Sequence, residues 1–81
     1  MKQGRIRVSV RPGVFLSERT VSFEAGGKQY VLIVDQEDIQ DDMLVVHVVD
    51  QSDHEALVDL PRDTFTSGSR VRIPNSVLLP A

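Results

Sequence analysis

Two histidines, His47 and His54, are the side chains in this sequence best suited to metal or acid-base chemistry. They flank the polar run 50–53, which predicts a turn between two apolar strands. With Val49 opposite His54, both imidazoles would share one face of the hairpin, diagonally offset by about 7–8 Å. Asp50 or Asp53 could add a third ligand. We keep this hairpin as a hypothetical site for a small ligand or a metal ion. Because two histidines without a longer spacing motif are a weak signal, we predict that the protein binds no metal and no cofactor.

Arginines provide the second candidate site. Arg5, Arg7 and Arg11 alternate with apolar residues, so they would share one strand face at intervals of about 6.6–7 Å. Arg70 and Arg72 could extend this stripe if their strand lies nearby. Such a stripe can follow phosphates, which makes a nucleic-acid-associated barrel the alternative function. The net charge of −3 and the few aromatic residues, three Phe and one Tyr, disfavour nucleic acid as the partner.

The charge is unevenly distributed along the chain. Residues 1–28 carry a net charge of +4, and residues 61–81 carry +2. Residues 29–60 hold nine acidic side chains and no Lys or Arg. A bipolar chain of this kind favours pairing of the arginines with acids of the same chain or of a partner.

Motifs for catalysis are missing from the sequence. There is no cysteine and no Gly-x-Ser-x-Gly elbow, and Gly26-Gly27 lies between two strand-like runs instead of between a strand and a helix. The acids of residues 35–42 lack the spacing of a calcium-binding loop. We therefore expect no enzyme activity.

Short strands dominate the predicted secondary structure. Residues 5–11 alternate and predict a first strand, which Pro12-Gly13 ends. The runs 20–25 and 28–34 flank Gly26-Gly27, so they predict a hairpin with a type I′ or II′ turn, with Phe23 opposite Tyr30. Further strands are predicted over 43–49, 54–60 and 69–73, and short helical turns near 37–39 and within 61–68.

Five to seven short strands without a long helix predict an all-β fold, a small antiparallel barrel forming one domain over residues 1–81. The segment Val71-Arg72-Ile73-Pro74-Asn75-Ser76-Val77-Leu78-Leu79 resembles the end of SH3-type barrels. In that family a strand runs into a proline-initiated 3-10 turn and a last short strand. The resemblance covers residues 71–79 and implies an SH3-like barrel with a short 3-10 or helical turn.

A surplus of apolar surface gives the leading functional hypothesis. The strands 28–34 and 43–49 are apolar on both faces, whereas one small barrel has one interior. The outer faces, represented by Val31, Ile33, Val45 and His47, must be covered by a segment such as residues 14–16 or by another protomer. The sequence therefore favours a protein-interaction or assembly module that self-associates or binds a protein partner.

The absence of any apolar run near 18 residues excludes a spanning helix, so no membrane partner is expected. A cytoplasmic location is the default expectation, because the lack of cysteine is compatible with any compartment. The initiator Met and the lack of linker-like ends favour a complete chain.

Overall fold

The computed structural model describes residues 2–80, so Met1 and Ala81 of the predicted 1–81 domain lie outside it. Its strands form one curled antiparallel sheet, a half barrel, which confirms the all-β class. The elements are β1 (Lys2–Arg7), β2 (Ser9–Pro12), β3 (Glu18–Ala25), β4 (Lys28–Asp35), the 3-10 helix η1 (Gln36–Asp38), β5 (Ile39–Gln40), β6 (Met43–Gln51), β7 (Glu55–Thr64), β8 (Gly68–Pro74), the 3-10 helix η2 (Asn75–Val77) and β9 (Leu78–Pro80). The strands are arranged β2-β3-β4-β7-β6-β1-β9, with β5 beside β6 and β8 beside β7.

The β3–β4 hairpin has the predicted register. Gly26 and Gly27 have φ angles of 60° and 76°, which only glycine adopts without strain and which fit a type I′ turn. Phe23 pairs with Tyr30, and their rings stack with centroids 5.0 Å apart. The same register places Val31 and Ile33 opposite Ser22 and Thr20, on the face away from the core.

The predicted strand 5–11 is wrong as a single element, because the chain breaks at Val8. Arg5 and Arg7 lie in β1, which pairs with β6 and β9, whereas β2 pairs with β3. Val8 is buried at the corner, and its N–H donates to the Asp42 carbonyl oxygen at 3.2 Å. The hydrophobic alternation continues through this corner because Val8 still faces the core.

The acidic segment after β4 contains more regular structure than its composition suggests. The predicted helical turn is present as η1, one residue earlier, and Ile39 and Gln40 then pair with Leu44 and Met43. Asp41 and Asp42 form the tight turn between β5 and β6, with φ angles of 53° and 61°. The Asp42 carbonyl oxygen, which accepts the hydrogen bond from Val8 N–H, belongs to this turn.

The helical turn expected within 61–68 is absent, because β7 continues as a strand to Thr64. The pairing of β7 with β8 shifts between Asp59 and Thr64, so Pro61 lies where no ladder hydrogen bond is required. Thr64 then closes the turn: its hydroxyl donates to Gly68 O at 2.8 Å and accepts from Ser67 N at 2.9 Å.

The core lies on the concave side of the curled sheet. Its sixteen buried apolar side chains come from all the longer strands, and the largest fully buried ones are Ile6, Leu32, Leu44 and Ile73. The predicted strand, 3-10 turn and last short strand are present as β8, η2 and β9. None of the helices within residues 2–80 has the length and hydrophobicity needed to cross a membrane.

Candidate functional site

The four predicted interaction residues all lie on the side of the sheet away from the core. Val31 and Ile33 are half-buried on β4, Val45 is half-buried on β6, and His47 is exposed on β6. Because β7 separates β4 from β6, they form two pairs on separate strands instead of one cluster. Of these, Val45 and His47 adjoin a surface feature that a partner could occupy.

This feature is a shallow depression of about 290 Å³, here called the β6 depression. Half-buried Val45 and Pro61 provide its apolar surface. The remaining lining side chains are polar: Gln3, Glu37, Asp38, Gln40 and His47. Within residues 2–80, Glu37 and Asp38 form no salt bridge, so the depression presents apolar surface beside unpaired carboxylates.

The most exposed apolar side chains lie in the connection between β2 and β3, residues 13–17, here called the apolar loop. Val14, Phe15 and Leu16 have 82%, 66% and 96% of their surface exposed. The sequence predicted residues 14–16 as one possible cover for the apolar strand faces, but their exposure shows that they do not cover them. The sequence contains no signal for this exposure, because three apolar residues between turn residues are equally compatible with a buried connection.

Hydrogen bonds hold the backbone of the apolar loop in place. Gly13 N–H donates to Glu18 O at 3.1 Å, and Glu18 N–H donates to Phe15 O at 3.0 Å. The Arg19 guanidinium donates to Leu16 O and Glu18 O, each at 2.7 Å. The loop therefore has a fixed backbone although its apolar side chains point into solvent.

Gly13 is required for this loop geometry by close packing. A Cβ added at Gly13 would lie 2.8 Å from the backbone carbon and 2.9 Å from the backbone oxygen of Glu18. Both are backbone atoms that cannot rotate away. Any other residue at position 13 would therefore displace one end of the loop.

The predicted arginine stripe is divided among three strands. Arg5 and Arg7 lie on β1, Arg11 lies on β2, and Arg70 and Arg72 lie on β8. The strands β6 and β7 separate β1 from β8, which places the two groups about 14 Å or more apart. These arginines do not form the continuous phosphate track expected from the sequence.

Several arginines are engaged by groups of the same chain. Arg70 forms a bidentate ion pair with Asp59, in which Nε and Nη2 lie 2.7 and 3.0 Å from the two carboxylate oxygens. Arg72 Nη1 lies 3.2 Å from Glu55 Oε1. The hydrogen bond from Arg70, reinforced by its positive charge, lowers the pKa of Asp59 below its usual value. Arg5 donates to Pro80 O through two nitrogens, at 3.1 and 3.2 Å. Phosphates of a nucleic acid would have to compete with these partners within the chain.

The two histidines are not brought together, because the predicted register of their hairpin is wrong. His47 pairs with Asp59, and a bulge follows between Val48 and Asp50. Because β6 continues to Gln51, about 13 Å of strand separates His47 from the turn in which His54 lies. Across residues 2–80, no group of three or more His, Cys, Asp or Glu side chains is arranged to hold a metal ion.

Ser52 explains why this turn forms later than expected. Its N–H donates to Glu55 O at 2.9 Å, and its hydroxyl accepts from the backbone N–H of His54 and of Glu55. A serine that bonds to the backbone two and three residues ahead closes a compact turn. Asp50 and Gln51 are polar yet remain in the strand.

Comparison of the chain with known protein families, curated proteins and solved structures found no match. The resemblance of residues 71–79 to SH3-type barrels therefore stays a prediction. Functional inference for this chain depends on its own surface.

Proposed function

We propose that this chain is a protein-interaction module that docks its partner through the apolar loop and has no catalytic activity of its own. The observation that carries the proposal is the exposure of Val14, Phe15 and Leu16 on a loop whose backbone is already fixed. Together these side chains expose on the order of 400 Å², which is the size of the largest apolar patches on ordinary monomers. Patches of that size are commonly binding sites.

A fixed loop is well suited to anchoring a partner. Ordering a flexible segment on binding consumes part of the interaction free energy, and a loop that is ordered beforehand avoids that loss. Arg19 supplies much of this order, since its guanidinium bonds to Leu16 O and Glu18 O and also to the Gln36 side chain at 3.3 Å. An aromatic side chain such as Phe15 is a common energetic centre of an interface.

The alternative functions receive less support from the geometry. The stripe needed for nucleic acid is divided, and Arg70 and Arg72 face carboxylates. The hairpin proposed for a ligand or metal holds His47 and His54 apart. The apolar loop presents three neighbouring apolar side chains that the rest of residues 2–80 leaves exposed.

Site-specific photo-crosslinking tests the proposal. Phe15 is replaced by p-benzoylphenylalanine, and the full chain is irradiated in an extract of its source cells. The matched control carries the same group at Phe65, which has the same exposed fraction of 66%. We expect discrete protein adducts from position 15 that are missing from position 65. No adduct at position 15, or the same adducts from both positions, would contradict the proposal.

The mass of the adduct identifies the class of partner. A second copy of this 9.0 kDa chain doubles the mass, whereas a foreign protein gives any other increment. This readout separates docking in general from self-association.

A further inference from the structure

We infer that the partner of the apolar loop is a second copy of this chain, which receives the loop in its β6 depression. This inference rests on the proposed function, because it names the partner of the same loop. It is carried by the match between the two surfaces in polarity, charge and position.

The two surfaces are complementary in polarity and charge. Phe15 and its apolar neighbours could contact Val45 and Pro61, which provide the apolar surface of the depression. Arg11 is exposed and, within residues 2–80, forms no salt bridge. It lies beside the loop in sequence and would approach the unpaired Glu37 of the other copy. Opposite charges around an apolar contact favour one orientation of the partner.

The loop and the depression lie on either side of η1. Gln36 N–H donates to Ser17 O at 2.8 Å, which joins η1 to the apolar loop. Glu37 and Asp38, the next two residues of η1, line the depression. Because the apolar loop and the β6 depression are neighbours on each protomer, a two-fold axis near η1 would allow each protomer to insert its loop into the depression of the other. Such an arrangement is closed and does not continue into a fibre.

Reciprocity doubles the area that the contact can bury. The apolar loop exposes on the order of 400 Å², and two reciprocal contacts bury twice the surface that one loop docked alone would bury. Standard protein interfaces bury about 800 Å² per partner, so the reciprocal arrangement comes closer to that size than a single docked loop does.

Pairing of two copies through the β2 edge is disfavoured by the sequence of that strand. Gly13 N–H points to β3, because it donates to Glu18 O. Neighbouring strand residues alternate in direction, so Pro12 faces the open edge, where it has no N–H to offer. Pairing through the β2 edge, the sheet edge next to the loop, is therefore unfavourable, which favours docking through the side chains of the loop.

Solution mass across a dilution series, measured by light scattering, tests the dimer. Phe15→Asp should raise the dissociation constant of the dimer at least about tenfold, and Glu37→Lys should do so too, because each homodimer loses both reciprocal contacts. Phe65→Asp and Glu24→Lys make the same chemical changes at exposed positions outside both surfaces and should leave it unchanged. The circular dichroism spectrum and the unfolding midpoint of each variant establish that it is folded.

Mixing the two weakened variants is the decisive experiment. A heterodimer of Phe15→Asp and Glu37→Lys protomers keeps one intact contact, between the loop of the second and the depression of the first. We expect the mixture to associate more tightly than either variant alone. If it does not, or if Glu37→Lys has no effect, the reciprocal arrangement is overturned.

A wild-type chain that stays monomeric at every concentration also overturns this inference. The proposed function then survives only if position 15 forms an adduct with a foreign protein. If position 15 forms no adduct at all, both fail.

Discussion

The turn between β5 and β6 places two aspartates, Asp41 and Asp42, in left-handed backbone conformations. Type I′ turns favour Asn-Gly at these positions, because the second residue needs a positive φ that a side chain disfavours. We predict that Asp42→Gly raises the free energy of unfolding. The carbonyl group that accepts the Val8 N–H belongs to the backbone and is retained in the variant.

The expected gain follows from two opposing terms. A left-handed conformation costs a non-glycine residue about 1–2 kcal/mol, and aspartate is at the low end because it tolerates this region. Glycine offsets part of the gain, since it loses about 0.5–1 kcal/mol more backbone entropy on folding. Removal of one of two adjacent negative charges adds a small favourable contribution. The net stabilisation should be about 0.5 kcal/mol, which raises the Tm of a domain of this size by about 2–4 °C.

The β3–β4 turn of the same chain provides a matched control. Gly27 has a φ angle of 76°, and a Cβ added there would meet no atom within 4 Å. Gly27→Asp therefore introduces the conformational penalty without a steric clash, and it should lower the stability by a similar amount. Urea denaturation of both variants and the wild type measures the two changes. If Asp42→Gly is neutral or destabilising while Gly27→Asp destabilises, backbone strain does not govern the β5–β6 turn.

Two further predictions concern the core and an ion pair. Leu32→Ala should lower the free energy of unfolding by about 2–5 kcal/mol, because Leu32 has no exposed surface; a loss below about 1 kcal/mol in urea denaturation would contradict its place in the core. The lowered pKa of Asp59 means that its contribution to stability is present above the unfolded-state pKa and is lost as the pH falls through the folded-state pKa. Asp59→Asn should therefore show a flatter decline of stability below about pH 4 than the wild type, and identical acid profiles for the two proteins would refute this reasoning.

Local turn chemistry made parts of the fold predictable from the sequence. Gly26-Gly27 specifies both the turn type and the strand register, so every predicted pair of the β3–β4 hairpin is present. Pro74 likewise marked the end of β8 and the start of η2. In both places the determining residues lie within the turn itself.

Features that depend on distant partners were missed. The corner at Val8 requires the Asp42 carbonyl, and the continued strand after Pro61 requires the shifted pairing with β8. The β6–β7 register was wrong because Asp50 and Gln51 have turn-like composition, although Ser52 forms the turn. Hydrophobic alternation predicts which face of the sheet a side chain lies on, but it does not predict the partners of the backbone hydrogen bonds.

The candidate site was predicted in part. Val45 and His47 were expected on an outer face, and both line the β6 depression. The carboxylates beside them come from η1, whose helical turn was predicted from the sequence but whose place beside β6 was not. The apolar loop was seen as a cover, because nothing in its composition distinguishes a buried connection from an exposed one.

The position of β1 between β6 and β9 determines when the first strand of this chain can fold. During synthesis β1 leaves the ribosome before either neighbour exists, and it has no native strand partner until β6 and finally β9 have emerged. Pairing of β1 with β6 and β9 brings together strands that are distant in sequence, so it is slower than formation of the local β3–β4 hairpin. In that interval Arg5 and Arg7 keep an unpaired strand charged, which opposes its addition to the strands of neighbouring chains.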